Sequence, residues 1–237
     1  MQNQPLLERQ TALLSYLTDP RQYDRKPEAE GLFGIDPYRL RLEGRFSLEK
    51  RTGKLMAVFP RSFEAMRKTP GADLKSFASA CPPFSITRYD NAAQFFEFVS
   101  RLWETEPPQP IWLPDLAALE LAMSKVAQVD PSEDADAPDV EEGAYFRLRT
   151  GVEFLTAQYD IRPLLANPEA DLTPEKRPVF LVVAPPAVSG PPRIFEVKQA
   201  PFDFLNALQG WTALAGVGTY AALVAALIEN KIMEKNQ

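Results

Sequence analysis

VFLVVAPPAVSGPPRIFEVK, residues 179–198, contains two runs with the composition of β-strands on either side of a turn-rich segment. Residues 179–183 form a β-branched and aromatic run, and residues 193–198 alternate apolar and polar side chains. The segment 185–192 between them holds four prolines and a glycine, which are typical of a loop. These features predict a two-stranded hairpin with a long loop.

Helices are predicted on both sides of the hairpin, because apolar residues recur there at helical spacing. Upstream, the predicted helices cover 6–17, 38–59, 62–66, 74–80, 92–103 and 114–128. Downstream, helices are predicted at 201–208 and 219–233, and the segment 145–159 fits either a helix or a strand. Helices packed on a small antiparallel sheet are typical of a winged helix. The predicted fold class is therefore α+β, with an α-helical N-terminal domain and a C-terminal winged-helix-like domain.

The segment 38–59 also carries a competing strand pattern. Tyr38, Leu42 and Phe46 recur at helical spacing and would form the apolar face of a long helix. Over 38–42, however, apolar residues alternate with arginines as they do in a strand, and each of two internal glycines costs a helix about 1 kcal/mol relative to alanine. The longer window favours the helix.

The negative charge of the chain lies in one short stretch. The formal net charge is −6, and residues 130–142, DPSEDADAPDVEE, hold seven acidic residues and no basic one. Basic and acidic residues number 17 and 16 in 1–129, and 9 and 9 in 143–237. A stretch with so few apolar residues does not fold by itself, so we expect 130–142 to be a linker between a domain at 1–129 and a domain at 143–237. A phosphate mimic or a cation loop is the alternative, although the glycine and closing glutamate of an EF-hand are missing.

The composition excludes several classes of chemistry. The chain has no histidine and one cysteine, Cys81, so it cannot form a Ser-His-Asp or Cys-His triad, a His-ligated metal site or an intramolecular disulfide. Cys81 lies between alanine and proline, which favours a buried, inert thiol over a redox or metal role. A single thiol and an N-terminal segment without a basic and apolar signal pattern lead us to expect a cytoplasmic protein. Residues 204–228 carry no formal charge, but their alanines, glycines and polar residues argue against a membrane span.

Four stretches of the sequence resemble a bacterial family. They are GIDPYRLRLEGRFSLEKRTGKLMAVFP at 34–60, IWLPDLAALELAMSKV at 111–126, FRLRTGVEFLTAQYDIRPLL at 146–165 and APFDFLNALQGWTAL at 200–214. The most specific positions are Tyr38-Arg39, Phe59-Pro60 and the run from Leu113 to Glu120. The family comprises partner proteins of multinuclear non-heme iron oxidative enzymes in ribosomal peptide biosynthesis, and it was formerly labelled a DNA-binding domain. The chain is similar to the partner proteins of the methanobactin and 3-thiaglutamate pathways.

This resemblance implies a non-catalytic accessory subunit. Such a subunit binds a ribosomal precursor or carrier peptide through a domain similar to a peptide recognition element, and it presents the peptide's cysteine to an iron oxidase. Iron is expected in the partner enzyme, and no cofactor is expected in this chain. The composition agrees with that expectation, because a chain with no histidine and one cysteine lacks the usual ligands of a multi-iron site.

The candidate sites follow from the hairpin and the basic stretch. We expect the peptide to add as a strand beside the hairpin, with the helix 201–208 as a wall of the groove. The candidate peptide-binding residues are Val179, Phe180, Val182, Arg193, Phe195, Val197, Phe202, Leu205 and Leu208. The candidate residues for docking the iron oxidase are Arg39, Arg41, Arg45, Arg51 and Arg61.

Other functions remain open from the sequence alone. The segment 39–68 has nine basic and three acidic residues, which would suit DNA binding by a winged-helix regulator or could be a solvated helix face. Asp115 and Glu120 could serve an enzyme that uses carboxylates, although a helix-capping acid and an outward-facing glutamate explain them as well. The aromatic residues at 95–98, 103 and 112 are expected to pack in the core.

Overall fold

The structure is a computed structural model, and it describes residues 6–22, 32, 34–66, 74–83, 85, 87–129, 144–167 and 172–236. The chain divides into two compact units, Met1–Ala117 and Ala118–Gln237. This division lies inside a helix, Leu113–Val126, whereas the sequence predicted a boundary at 129. The predicted acidic linker, 130–142, lies outside the described residues.

The first unit is built from helices, as the sequence predicted. They are α1 (Leu6–Thr18), α2 (Pro37–Val58), α3 (Pro60–Met66), α4 (Leu74–Ala80), α5 (Arg88–Thr105) and the start of α6 (Leu113–Val126), with a short 3₁₀ turn at Pro20–Gln22. The helix α2 begins where Asp36 accepts a hydrogen bond of 2.9 Å from the backbone N–H of Tyr38. Pro37 occupies the first turn, where its missing N–H costs nothing.

The buried face of α2 is different from the predicted one. Leu40, Leu55 and Val58 are the deeply buried apolar side chains of this helix, at 3%, 1% and 5% exposure. The residues that were expected to form its core face are exposed, Tyr38 at 67%, Leu42 at 38% and Phe46 at 45%. Both sets recur at helical spacing, so the helix itself is confirmed while the choice of its inner face is corrected.

The core of the first unit is aromatic. The ring of Phe95 lies 5.7 Å from the ring of Phe59, 5.5 Å from that of Phe63 and 5.2 Å from that of Phe77. These separations are typical of favourable aromatic pairs. The burial of Phe95, at 2% exposure, agrees with its predicted core role.

In its described residues, the second unit contains two three-stranded antiparallel sheets and three further α-helices. Its strands are β1 (Tyr145–Leu148), β2 (Glu153–Tyr159), β3 (Lys176–Ala184), β4 (Arg193–Val197), β5 (Thr212–Ala213) and β6 (Met233–Lys235). The helices α7 (Arg162–Ala166), α8 (Gln199–Asn206) and α9 (Ala221–Glu229) lie between them in the chain. The strand orders are β5-β1-β6 and β2-β3-β4. This mixture of helices and sheets is of the α+β class that the sequence predicted.

Two predictions for the second unit need correction. The hairpin of β3 and β4 forms, but β2 pairs with the other side of β3, from Glu153 opposite Val183 to Tyr159 opposite Lys176. The last helix was predicted to reach Met233 but ends at Glu229. Lys231 adopts a left-handed conformation, with φ of 54°, which stops the helix and leads the chain into β6.

One apolar cluster joins the two sheets to α8 and α9. Its fully buried members include Phe146 on β1, Val182 on β3, Leu205 on α8 and Val224 on α9. Among the described residues, no helix is long and apolar enough to cross a membrane.

Candidate functional site

The sheet β2-β3-β4 has one central strand and two outer strands. Because β3 pairs with β2 on one side and with β4 on the other, its backbone N–H and C=O groups are occupied by neighbouring strands. An added peptide strand therefore cannot pair with β3, which was one of the two predicted positions. The other predicted strand, β4, is an outer strand whose far edge pairs with no strand in the described part of the chain.

An open depression of about 390 Å³ lies beside β4. It is lined by residues of β3 and β4 and by the residues where the chain enters α8, namely Pro178, Phe180, Glu196, Val197, Lys198 and Gln199. The ring of Phe180 lies 5.3 Å from the ring of Phe202, a buried residue of α8. The depression thus combines apolar side chains with one acidic and one basic residue.

The apolar residues that were predicted to bind the peptide divide into three groups in the structure. Phe180 and Val197 line the depression, while Phe195 and Leu208 are half-buried and pack against the apolar cluster. The others are buried at or below 7% exposure and support the fold from inside: they are Val179, Val182, Phe202 and Leu205.

Arg193, which was also predicted to contact the peptide, is occupied within the chain. Its Nη1 donates a hydrogen bond of 2.7 Å to the carbonyl oxygen of Asn230, and its Nε donates one of 3.0 Å to that of Pro185. Burial lowers the pKa of this guanidinium, and the nearby Arg149 lowers it further. Arg193 therefore satisfies one backbone carbonyl after the end of α9 and one after the end of β3.

A four-charge network crosses the ends of β2, β3 and β4, and the sequence did not predict it. Asp160 accepts hydrogen bonds of 2.8 and 2.7 Å from Arg162, and it also accepts one from Arg177. Both arginines donate to Glu196 on β4. The hydrogen bonds from Arg162 lower the pKa of Asp160 to about 2, and those from Arg177 lower the pKa of Glu196. The network ties the outer strand β4 to its neighbours and keeps both carboxylates ionised at neutral pH.

The predicted docking arginines of the first unit also differ from one another. The side chain of Arg51 is turned inward, where its Nε and Nη2 donate to Asn91 and Gln94 at 2.8 and 2.9 Å. Its guanidinium also lies 4.2 Å from the ring centroid of Phe77. Arg61 forms a 2.9 Å ion pair with Glu64. The side chains that face solvent are those of Arg39, Arg41 and Arg45.

The helical spacing of Arg51 places it on the buried face of α2, which the structure identifies. It follows Leu40 by 11 residues and precedes Leu55 by 4, and both spacings return to the same side of an α-helix. Around the helix, Arg51 lies about 20° from Leu40, whereas Arg39, Arg41 and Arg45 lie about 100–140° from it. Helical periodicity therefore separates the structural arginine from the solvent-facing ones.

The remaining candidate residues show no assembled chemical site. Cys81 is half-buried, and burial raises the pKa of its thiol. Glu120 is buried at 4% exposure, which corrects the expectation that it faces outward. Asp115 lies five positions earlier, about 140° away around the same helix, so the two do not share a helix face. In the described part of the chain, no group of three or more cysteine, aspartate or glutamate residues is placed to hold a metal ion.

The comparisons with known proteins add no relative. A scan against protein-family models gave no match, and a search of curated proteins gave none either.

Proposed function

We propose that this chain is a non-catalytic accessory subunit that binds a ribosomal precursor or carrier peptide and presents the peptide's cysteine to an iron-dependent oxidase. The observation that carries the proposal is that the far edge of β4 pairs with no strand among the described residues, close to a depression lined by Phe180 and Val197 together with Glu196 and Lys198. The resemblance of the sequence to partner proteins of such oxidases supports the same function. In this proposal the second unit is a winged-helix-like peptide recognition element, and iron belongs to the partner enzyme.

The edge of β4 suits an extended peptide. Unpaired N–H and C=O groups on an outer strand form hydrogen bonds with any extended backbone, while pockets for alternate side chains give selectivity. Phe180 and Val197 supply an apolar surface for one peptide side chain. Two arginines donate hydrogen bonds to Glu196 and so hold β4 in place. The strand therefore needs no rearrangement when the peptide binds.

The binding mode is tested on the peptide itself. Precursor peptides with single N-methylated backbone amides are titrated against the full chain by fluorescence anisotropy. A methyl group removes one donor, so affinity is expected to fall about tenfold at every second position and little at the positions between. Equal loss at neighbouring positions, or loss at none, contradicts strand addition.

A proline at the end of the edge strand tests the protein side. Lys198 has φ of −72°, which proline adopts without strain, and its backbone N–H donates no hydrogen bond among the described residues. Lys198→Pro is expected to weaken peptide binding while thermal stability is retained. Lys198→Ala is the matched control, because it removes the side chain but keeps the N–H. If Lys198→Ala weakens binding as much as Lys198→Pro, the side chain and not the backbone makes the contact.

The accessory role is tested by separating the components. A recognition subunit raises the local concentration of the reactive end of the peptide, so conversion requires both proteins at low peptide concentration. Peptide conversion is measured by mass spectrometry with the chain alone, with the proposed partner oxidase alone, and with the mixture. Only the mixture is expected to convert micromolar peptide. Conversion by the chain alone would show that it is an enzyme.

A further inference from the structure

The helix α2 has two apolar faces, and the described residues cover only one of them. Its 22 residues present Leu40 and Leu55 to the interior of the first unit. Tyr38, Leu42 and Phe46 follow one another at four-residue spacing and are 67%, 38% and 45% exposed. A surface helix of a single domain normally needs one apolar face.

The two faces lie on opposite sides of the helix. With about 100° per residue, Tyr38, Leu42 and Phe46 span about 80° of the helix surface. Met56, which is 38% exposed, falls on the same stripe about five turns after Tyr38. The centre of this stripe is about 180° from the buried leucines. We call these four residues, Tyr38, Leu42, Phe46 and Met56, the outer stripe of α2.

Arginines flank the outer stripe on both sides. Arg39 follows Tyr38 on one flank and has a side-chain exposure of 84%. Arg41 and Arg45 lie on the other flank and are exposed. The only described acidic partner of Arg39 is Asp36, at 3.8 Å, which is too long for a close ion pair. Within α2 as a whole, six basic residues face two acidic ones.

We propose that the outer stripe docks a protein partner whose contact surface is apolar at its centre and lined by aspartate and glutamate. Tyrosine, phenylalanine, methionine and arginine are the residues enriched at protein interfaces, and here they are arranged as an apolar centre with a charged rim. The inference rests on the proposed function, since the oxidase is the second protein which that function requires.

The charges on α2 favour a protein partner of this kind over a second copy of the chain, a membrane or a nucleic acid. A second copy of the chain would bring two basic helix faces together, which like-charge repulsion disfavours. An anionic membrane or a nucleic acid would meet Glu49, which lies within the stripe between Phe46 and Met56 and would be repelled by lipid or phosphate groups. A protein surface can offer both the apolar contact and a cation for Glu49.

The test uses the full chain and the partner iron oxidase that the proposed function requires. Leu42→Glu and Phe46→Glu are introduced together, and the dissociation constant is measured by biolayer interferometry. The double variant is expected to bind at least about 100-fold more weakly, since central apolar residues carry most of the affinity of an interface. Leu102→Glu is the matched control, because Leu102 is an exposed leucine on α5 at 41%, close to the 38% of Leu42. Unchanged circular dichroism shows that both variants fold.

A second variant tests the rim. Reversing Arg39, Arg41 and Arg45 to glutamate is expected to slow association about tenfold or more at low salt and to flatten its salt dependence, because opposite charges mainly steer association.

The outcomes are distinct. If the oxidase binds the wild-type chain and the double variant equally, the outer stripe is not the docking surface and the proposed function stands. If the oxidase does not bind the wild-type chain, the proposed function fails and this inference fails with it. Self-association, duplex DNA binding or binding to phosphatidylglycerol vesicles that the double variant loses would assign the stripe to that occupant and overturn the proposal.

Discussion

Lys231 ends α9 in a conformation that glycine usually occupies. Its N–H donates to the carbonyl of Ile228, and the N–H of Ile232 donates to that of Leu227, a pattern typical of a helix end closed by a left-handed residue. A residue with a side chain is strained by about 1–2 kcal/mol in this conformation. Glycine removes the strain, but its greater freedom in the unfolded chain cancels part of that gain in stability.

Lys231→Gly is therefore expected to raise the free energy of unfolding by about 0.5–1 kcal/mol, measured by urea denaturation. The carbonyl of Lys231, which accepts hydrogen bonds from Arg149 and Arg193, is kept in this variant. Lys231→Ala removes the side chain beyond Cβ but keeps the strain, and it should change stability by less than about 0.5 kcal/mol. Equal gains from both variants would assign the effect to the lysine side chain.

Two glycines should respond in opposite ways to alanine. Gly53 lies inside α2, and a Cβ there meets no atom within 4 Å, so Gly53→Ala is expected to stabilise the chain by about 0.5–1 kcal/mol. Gly151 has φ of 81°, and a Cβ there would lie 2.3 Å from Cγ2 of Val129. Gly151→Ala is expected to cost about 3 kcal/mol or more, because left-handed strain and a steric clash add. Thermal unfolding of the two variants compares them directly, and a loss of stability in Gly53→Ala would contradict the open environment of Gly53.

At the scale of the strands, the network of Asp160, Arg162, Arg177 and Glu196 predicts a pH dependence. The pKa of Asp160 falls from 3.8 in the unfolded chain to about 2 in the folded one. A lowered carboxyl pKa stabilises the fold above the unfolded value, and this stabilisation is lost as the pH falls from about 4 to about 2. Its full size is about 2 kcal/mol.

Asp160→Asn is thus expected to lower the free energy of unfolding by about 2 kcal/mol at pH 7 and by much less at pH 2.5. Urea denaturation at pH 7, 4 and 2.5 measures both values. Glu175→Gln is the matched control: Glu175 pairs with Arg177 at 3.4 Å, but its side chain is 74% exposed, so the change should be below about 0.5 kcal/mol. A constant difference between wild type and Asp160→Asn at all three pH values would contradict the assignment.

The elements themselves were largely predictable, and their partners were not. The periodicity of α2 and its Asp36-Pro37 start indicate a helix, but two apolar faces of similar strength leave the inner face undecided. The strand β6 is only Met-Glu-Lys, which carries no periodic signal, and it exists because β1 pairs with it. Phe180 and Val197, two of the residues that the sequence proposed for peptide binding, line the depression at the hairpin. Which edge of the sheet is left open depends on the pairing of β2, which local sequence does not encode.

At the scale of the whole chain, the boundary between the two units determines which fragment of the chain should be stable when it is produced alone. The segment 118–129 belongs to the second unit, where Lys125 pairs with Glu153 at 2.7 Å and Val129 lies against Gly151. A chain of residues 118–237 is therefore expected to unfold several degrees above a chain of residues 143–237, which the sequence alone would have suggested as the domain. Differential scanning calorimetry compares them. Equal melting temperatures would show that the second half of α6 adds nothing to the unit.

The pairing of β1 with β6 fixes an order of events during protein synthesis. The strands β2, β3 and β4 follow one another in the chain and can pair as soon as they leave the ribosome. The other sheet has to wait, because β1 is made early in the second unit while its partner β6 is made at Met233–Lys235. Phe146 is fully buried in the finished fold. Until β6 is made, only some of the residues that bury it are present. During translation the second unit should therefore be only partly folded, with apolar surface exposed. It should need protection from aggregation until β6 has been synthesised and can pair with β1.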